Sequence, residues 1–395
     1  MFPHRHPAQP QTRRGFTTPM VAAALLVVML GFALVLDRLW LEAARVELTT
    51  AAEAAALAAA GRLASDSRLI PDADTEPLLA AARDAAIEVA RQNRVAGQPV
   101  LLDADGGDIR FGHLVEQPAV ERASSGSAAP LPSQAVITAH RTRFRGNPVA
   151  LFLADLTGQA TGDVVARAAA GLNNQIAGLR PFDGAPAPAV PLAIWLRDPA
   201  GKRRDTWEHC IDHRLGRDDY GYDERTQSVY QGADGLPELT LKSSRRRSSG
   251  QDANALVIDI GSGFQSAVLT RQFLQGWSVE DLEPWQGELR LPATVLGLAQ
   301  LDGDDRYALE QLSGVPRIVL LYSTATPIGR GPTCEVTCER LVAIRVLHVA
   351  DQPDGSCHVT VQPAVLTTRT AVVATTEDAS TVVANPYIYR LQLTQ

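Results

Sequence analysis

The sequence has little cysteine, few aromatic residues and no excess of basic charge. Its 395 residues include 4 cysteines, and aromatic side chains make up 5% of the chain. Four cysteines in so long a chain exclude a disulfide scaffold. The formal net charge of -7 and the pI near 5.7 exclude a general nucleic-acid binder, because phosphate contacts require a basic field. We therefore expect no nucleic-acid partner.

Long apolar runs are also scarce, and the exception lies near the N-terminus. The mean hydropathy of -0.05 excludes a polytopic membrane protein. Residues 16–36 carry no charge, and the strictly apolar part covers residues 20–36. A bilayer core requires about 20 apolar residues. The sequence thus predicts one transmembrane helix over residues 16–36, preceded by a cytoplasmic basic tail over residues 1–15.

The charges that flank this segment predict its orientation. Arg5, Arg13 and Arg14 precede it with no acidic residue among them, whereas the charges that follow it nearly cancel. Excess positive charge stays in the cytoplasm. We therefore expect Arg13 and Arg14 to set the topology in a bacterial inner membrane, with the C-terminal domains in the periplasm or beyond.

Two kinds of processing compete with a retained membrane anchor. Cleavage of a secretory signal is one, but charged, helix-favouring residues rather than small ones follow the apolar core. Prepilin-type cleavage between Gly15 and Phe16 is the other. Prepilins usually carry Glu at the fifth mature position, which is Met20 here. A retained anchor is the preferred interpretation, and N-terminal processing stays open.

Helix-forming sequence continues beyond the apolar segment. Residues 37–66 are rich in Ala, Leu, Glu and Arg, which have high helix propensity. Within this range neither glycine nor proline interrupts the sequence before Gly61. Alanine fills most of the apolar face, especially over residues 51–60. Small side chains permit close approach of another helix. This face could therefore contact a partner protein or pack on the chain's own domain.

The N-terminal residues form a recognisable series of motifs. An Arg-Arg-Gly lead at residues 13–15 precedes the apolar span, Asp-Arg-Leu-Trp follows it at residues 37–40, and the alanine-rich run contains Glu53. This series resembles the N-terminal segment of TadE/TadG-like Flp pilus-assembly proteins. The family pattern has a glycine in the exit motif and usually Asp in the alanine run, and this chain departs from both.

The resemblance extends downstream. Residues 78–114 and 135–172 are similar to the helix, turns and paired strands that follow in many such proteins. Residues 251–363 resemble the exported C-terminal regions of planctomycete members, with matching elements at residues 259–262, 316–318 and 361–364. The resemblance implies a role in pilus assembly, with other pilus-assembly or envelope proteins as partners, and no established enzymatic activity.

Periodicity and composition predict an α+β fold for the exported part. An amphipathic helix over residues 78–93, several strands and a short helix over residues 148–156 predict a small domain with an antiparallel sheet over residues 72–180. The proline-rich residues 181–191 are typical of a stiff linker. Strand signals dominate residues 192–395, which predicts a β-rich C-terminal domain.

One short segment offers metal-ligand chemistry. His209 and His213 are four residues apart, so a helix would place both on one face, with Cys210 beside them. An envelope metal-binding protein or metalloenzyme that uses these residues is therefore the alternative hypothesis, and a cell-surface ligand-binding module is a third. The C-x-x-C pairs typical of zinc sites are absent from the sequence. We accordingly expect no metal and no other cofactor.

Outside the cytoplasm the cysteines are candidates for disulfides. Cys334 with Cys338 and Cys338 with Cys357 are the nearest pairs in sequence. With Cys210 included, four cysteines allow three complete pairings, and spacing does not choose among them.

Two further patterns weigh against a binding or catalytic site. Residues 103–108 are rich in Asp and Gly but lack the glycine and glutamate positions of an EF-hand, so we expect a hairpin turn there. Spacing brings together no set of nucleophile, base and orienting acid. We therefore expect a protein that is not an enzyme.

Overall fold

The computed structural model describes residues 17–114, 131–243, 253–301, 303–329, 331–352, 357–375 and 382–394. The predicted basic tail, with Arg13 and Arg14, lies outside this part of the chain. The described residues form two compact units. The first draws on Met1–Ala55, Ile87–Asp108 and Ile137–Ala168, and the second on Ala56–Ala86, Ile109–Val136 and Ala169–Gln395.

Five α-helices lie in the described ranges. They are α1 (Thr17–Arg62), α2 (Glu76–Gln92), α3 (Ala154–Thr157), α4 (Ser266–Gln275) and α5 (Gly303–Gln311). Short 3₁₀ turns occur at Asp66–Leu69 and Glu283–Trp285, and a π-helical turn at Glu208–Asp212. The predicted apolar and alanine-rich segments are thus one continuous helix, and the amphipathic helix predicted at residues 78–93 is confirmed as α2.

The strands of the described residues follow in chain order. They are β1 (Arg94–Val95), β2 (Gln98–Pro99), β3 (Ile109–Gly112), β4 (Gln134–Arg141), β5 (Val149–Ala150), β6 (Thr161–Gly162), β7 (Val164–Asn173), β8 (Ile176–Leu179), β9 (Ala189–Trp195), β10 (Tyr220–Asp223), β11 (Ser228–Gln231), β12 (Leu239–Lys242), β13 (Ala255–Ile258), β14 (Leu289–Arg290), β15 (Ala293–Leu298), β16 (Pro316–Pro327), β17 (Thr333–Asp351), β18 (Cys357–Pro363), β19 (Leu366–Thr367), β20 (Ala371–Val373) and β21 (Ile388–Thr394). The predicted α+β fold with antiparallel sheets and a β-rich C-terminal part is confirmed.

Neither unit is one continuous stretch of the chain. Helices α1 and α2 and strands β4 and β7 each contain residues of both units. Strands β4 and β7 belong to a five-stranded sheet in the order β19-β21-β7-β4-β3. Because single helices and strands contain residues of both units, no one position in the sequence separates the units.

The second unit is built on a sheet of order β12-β18-β17-β15-β13-β9-β16. Because β16 also pairs with β17, the five strands β17, β15, β13, β9 and β16 close into a ring. All pairings in the ring are antiparallel except that of β9 with β16.

Both faces of this sheet are buried at β9 and β13 and along the middle of β16 and β17. Successive side chains of a strand point to opposite faces. Accordingly Ala193 and Leu320 belong to one apolar cluster, whereas Leu192, Ile194 and Leu321 belong to another that includes α4 and α5 side chains. Burial of both faces explains the nearly continuous apolar sequence of these strands.

The predicted linker at residues 181–191 is wrong at its C-terminal end. Strand β9 begins at Ala189 and lies between β13 and β16, with Val190 buried. Proline has no N–H to donate, so it is tolerated in a sheet mainly at edges and bulges. The β9–β16 register shifts between Ile318 and Leu320, opposite the stretch that contains Pro191. The irregular pairing accommodates a proline that composition alone assigns to a linker.

Candidate functional site

The N-terminal half of α1 exposes an apolar surface. One helix in the described ranges, α1, is long and apolar enough to cross a membrane, and its most apolar window is 6% buried. Large apolar side chains are exposed along this half of the helix: Met20, Val21, Leu25, Leu26, Val27, Val28, Met29, Leu30, Phe32, Leu34, Val35 and Leu36. Such a continuous apolar surface marks a membrane or protein contact rather than a water-facing helix.

The environment of the helix changes at Asp37. This residue directly follows the exposed apolar segment and is buried. Its Oδ1 accepts hydrogen bonds from the backbone N–H of Phe152 at 3.0 Å and of Leu153 at 3.4 Å. Two backbone donors to one carboxylate fix the chain between β5 and α3 against the helix.

The helix predicted over residues 148–156 is mostly wrong, because only Ala154–Thr157 is helical.

Trp40 adds a second connection to the same loop. Its indole Nε1 donates to the carbonyl oxygen of Ala150 at 3.0 Å, and its ring centroid lies 4.7 Å from that of Phe152. An aromatic pair at this separation is favourable beyond its buried area. We call residues 149–153 the clasp loop, because they hold α1 through Asp37 and Trp40.

Close approach of a strand completes this arrangement. A Cβ atom at Gly162 of β6 would lie 2.5 Å from Cδ2 of Leu41. The absence of a side chain at Gly162 therefore lets β6, which pairs with β5, approach the helix one turn after Asp37. Further along α1, Glu47 accepts a hydrogen bond from the backbone N–H of Ala96 at 2.8 Å.

An apolar groove lies between α1 and the clasp loop. It has a volume of about 460 Å³ and is lined by Leu36, Leu39, Trp40, Ala43, Phe152 and Leu153. Phe152 is 67% exposed and Leu39 is 60% exposed. The groove thus continues the exposed apolar surface of α1 beyond the end of the predicted transmembrane segment.

The alanine-rich part of α1 is buried within the chain. Ala51, Ala52, Ala55, Ala56, Ala59 and Ala60 are each at most 1% exposed. These positions recur every three or four residues, which places them on one face of a helix. Of the two interpretations of this face, the structure supports packing on the chain's own residues, so a partner would have to contact other faces of α1.

The aspartate-rich residues 103–108 form a turn that is neutralised by an arginine. Asp103 accepts the backbone N–H of Gly106 at 2.8 Å and the guanidinium of Arg145 at 2.7 Å, and these two interactions lower the pKa of its carboxyl. Arg145 also binds Asp108 at 2.6 Å. The guanidinium supplies the positive charge that a calcium ion would bring. The turn is confirmed, but the expected hairpin is wrong, because β2 pairs with β1 and β3 pairs with β4.

The segment containing His209, Cys210 and His213 is a π-helical turn followed by exposed residues. The Sγ atom of Cys210 contacts the carbonyl oxygen of Arg204 at 3.1 Å. In the described residues, no group of three or more His, Cys, Asp or Glu side chains is placed to hold a metal ion. The alternative metal-site hypothesis therefore gains no support from the geometry.

The cysteines are free thiols in the structure, and the sheet separates the two cysteine pairs that are nearest in sequence. Cys334 and Cys338 lie four residues apart on β17, hence about 13 Å apart along the strand. A disulfide requires Cα atoms within about 7 Å. Cys338 and Cys357 belong to the apolar clusters on opposite faces of the sheet. Burial raises the pKa of all four thiols, that of Cys338 to about 12.

Comparison with known proteins assigns the N-terminal segment. Residues 15–62 match the Tad family model, described as Flp pilus-assembly TadE/G-like. The match confirms the resemblance over the apolar span, Asp37 and the alanine-rich residues. No curated protein and no solved structure matches the chain. The resemblances at residues 78–114, 135–172 and 251–363 lie outside the match and stay predictions.

Proposed function

We propose that this protein is a single-pass component or accessory of a Tad/Flp-type pilus-assembly system in a bacterial inner membrane. In this proposal α1 anchors the chain, the N-terminus is cytoplasmic, and both units are exported. The role is mechanical and non-catalytic: the helix holds the exported residues close to the membrane, where they contact pilus or envelope proteins.

The change of environment along α1 carries this proposal. The helix is exposed and apolar before Asp37, whereas its face through Ala51 and Ala60 is buried. The family match at residues 15–62 covers both parts. A helix with an exposed apolar half and a packed half is what a membrane-anchored exported protein requires, since the apolar half gains stability only in lipid or against another protein.

The flanking charges support the proposed orientation. Arg5, Arg13 and Arg14 precede the span, whereas Asp37 and Arg38 begin a nearly balanced stretch after it. The raised pKa values of the thiols weigh against a cysteine nucleophile, because they keep each cysteine protonated and poorly nucleophilic at neutral pH.

A topology experiment tests the anchor and its direction. A C-terminal reporter that is active only outside the cytoplasm is fused to the full chain, and Arg13→Glu and Arg14→Glu are introduced together. We expect reporter activity in the parent fusion and a clear loss in the double variant. Arg38→Glu, on the other flank, is the matched control and should keep the activity. Full reporter activity in the double variant would show that the proposed account of the topology is wrong.

A genetic experiment tests the pilus role. Deletion of the gene in its host should reduce surface pili, and expression of the full chain should restore them. A chain that lacks residues 17–36 should not restore them, because it would not be held at the membrane. Unchanged pili in the deletion strain would contradict a role in pilus assembly and favour a separate cell-surface module.

A further inference from the structure

We propose that the clasp loop lies in the lipid–water interface, so that the protein touches the bilayer at a second point beside its transmembrane helix. The inference rests on the proposed insertion of α1. The partner is the interfacial layer of a phospholipid membrane, and the contacting groups are Phe152, Leu39 and the apolar groove between them.

The length of the exposed part of α1 determines where the lipid–water interface lies along the helix. Residues 17–36 of α1 span about 30 Å at 1.5 Å per residue, which is the thickness of a bilayer core. The interfacial layer beyond each side of the core is roughly 5–8 Å thick. Leu39 and Trp40 lie about 5–6 Å along the helix beyond Leu36, hence within that layer.

Hydrogen bonds fix the clasp loop at the same depth. Phe152 N–H donates to Asp37, Ala150 receives the indole N–H of Trp40, and the Trp40 and Phe152 rings are in contact. These three contacts all reach α1 within one turn, residues 37–40. An inserted α1 therefore brings the clasp loop to the membrane surface with it.

The chemistry of the loop suits this layer. Phe152 and Leu39 expose most of their apolar surface, and the groove that they line reaches Leu36 of the exposed helix. Tryptophan is enriched at membrane interfaces, where an indole combines an apolar ring with a polar N–H, and Trp40 contacts the clasp loop at this depth. Because this surface is continuous with the transmembrane span, lipid rather than another protein covers it.

The test measures the depth of tryptophans introduced into the full chain in phospholipid vesicles. Phe152→Trp is the probe. Leu39→Trp and Val46→Trp are matched references, since they lie seven residues apart on one helix face and are 60% and 67% exposed. Val46 is about 15 Å beyond Leu36, outside the interfacial layer. Lipids brominated near the headgroup end of the acyl chains quench only tryptophans at that depth.

We expect the emission added by Phe152→Trp to be quenched as strongly as that added by Leu39→Trp, and at least about twofold more than that of Val46→Trp. Quenching equal to that of Val46→Trp would overturn the inference. A protein that covers the groove, including a second copy of this chain, would also shield the probe and overturn it.

Flotation of the vesicles separates this inference from the proposed anchor. A chain that fails to float with vesicles in high salt would refute membrane anchoring itself. A chain that floats, with Leu39→Trp quenched and Phe152→Trp not quenched, would refute only the interfacial clasp loop. Circular dichroism of each variant confirms that the substituted chain is folded.

Discussion

Asp66 forms an ion pair with the buried Arg345 although 279 positions separate them in sequence. The Oδ2 atom of Asp66 lies 2.6 Å from Nη2 of Arg345, and Oδ1 accepts the backbone N–H of Val365 at 2.6 Å. The guanidinium stacks 3.5 Å from the ring centroid of Tyr222. The short turn after α1 is thereby tied to strand β17, and both lie in the second unit.

Loss of this pair should be strongly destabilising. Asp66→Ala leaves the Arg345 charge buried without its carboxylate, which costs roughly 3–5 kcal/mol of unfolding free energy. Urea unfolding of the detergent-solubilised chain measures the change. Arg225→Ala removes a largely exposed arginine 3.9 Å from Asp223 and should alter stability by less than about 0.5 kcal/mol. Equal effects of the two substitutions would show that the buried pair contributes no more than a surface pair.

The clasp loop should loosen when Asp37 loses its acceptor. Asp37→Ala leaves the N–H groups of Phe152 and Leu153 without their partner, a cost of roughly 1–3 kcal/mol. We expect chymotrypsin to cleave after Phe152 faster than in the wild type. Asp37→Asn keeps an oxygen acceptor and should retain most of the protection. If all three chains are cleaved at one rate, Asp37 does not hold the loop.

Membrane association should depend mainly on the exposed half of α1. Leu26→Arg places a charge near the middle of the proposed span, which opposes insertion by about 2.5–3.5 kcal/mol. We expect this variant to shift from the membrane fraction toward the soluble or degraded fraction. Val46→Arg is the control, because Val46 is equally exposed but lies beyond the span. A membrane fraction unchanged by Leu26→Arg would contradict the anchor.

Stability should respond to pH through Glu238. Burial raises the pKa of its carboxyl, against the opposing hydrogen bonds from the N–H groups of Tyr220 and Asp219. A raised pKa means that the folded chain binds the proton more tightly than the unfolded chain. The stability that Glu238 contributes is therefore present at low pH and is lost as pH rises through the folded pKa.

The substitution Glu238→Gln tests this sign. The glutamine oxygen still accepts the two backbone N–H groups, but it does not ionise. Relative to the wild type, the variant should gain stability as pH rises from about 4 to 7. Urea unfolding of both chains across this range measures the difference, in which titrating groups that do not interact with Glu238 cancel. A difference that is independent of pH would contradict the raised pKa.

The thiols should react in the order of their burial. Cys338 is buried and its pKa is raised to about 12, whereas Cys210 and Cys334 are partly exposed. Alkylation of the native chain at neutral pH, followed by mass spectrometry, should therefore modify Cys338 most slowly. The unreduced chain should have the mass of four free thiols. A mass that is lower by the two hydrogen atoms lost on forming a disulfide, or by twice that amount, would contradict the arrangement of the cysteines.

Much of the fold could be predicted from local pattern. The amphipathic spacing over residues 78–93 predicts α2, and the apolar segment followed by helix formers predicts the two halves of α1. Where tertiary pairing overrides composition, prediction fails: Pro191 suggests a linker but lies in the buried strand β9, because an irregular register accepts it. The short strand β5 replaces a predicted helix because β6 pairs with it.

The candidate site was only partly accessible to sequence analysis. Asp37 and Trp40 stand out as the exit of the apolar segment, yet nothing in the pattern connects them with Phe152, more than 100 residues later. Gly162 gives no signal by itself, since its role is to leave room for Leu41. Contacts between distant segments depend on the fold and are invisible to spacing.

The sequence by itself determined that an uncharged, bilayer-length helix lies near the N-terminus and that a β-rich part follows, because hydropathy and propensity act over neighbouring residues. Only the tertiary structure decided which face of α1 is buried, which thiols are kept apart and where the clasp loop lies. Those outcomes depend on hydrogen bonds and packing between residues that are distant in sequence, and such contacts form only once the chain has folded.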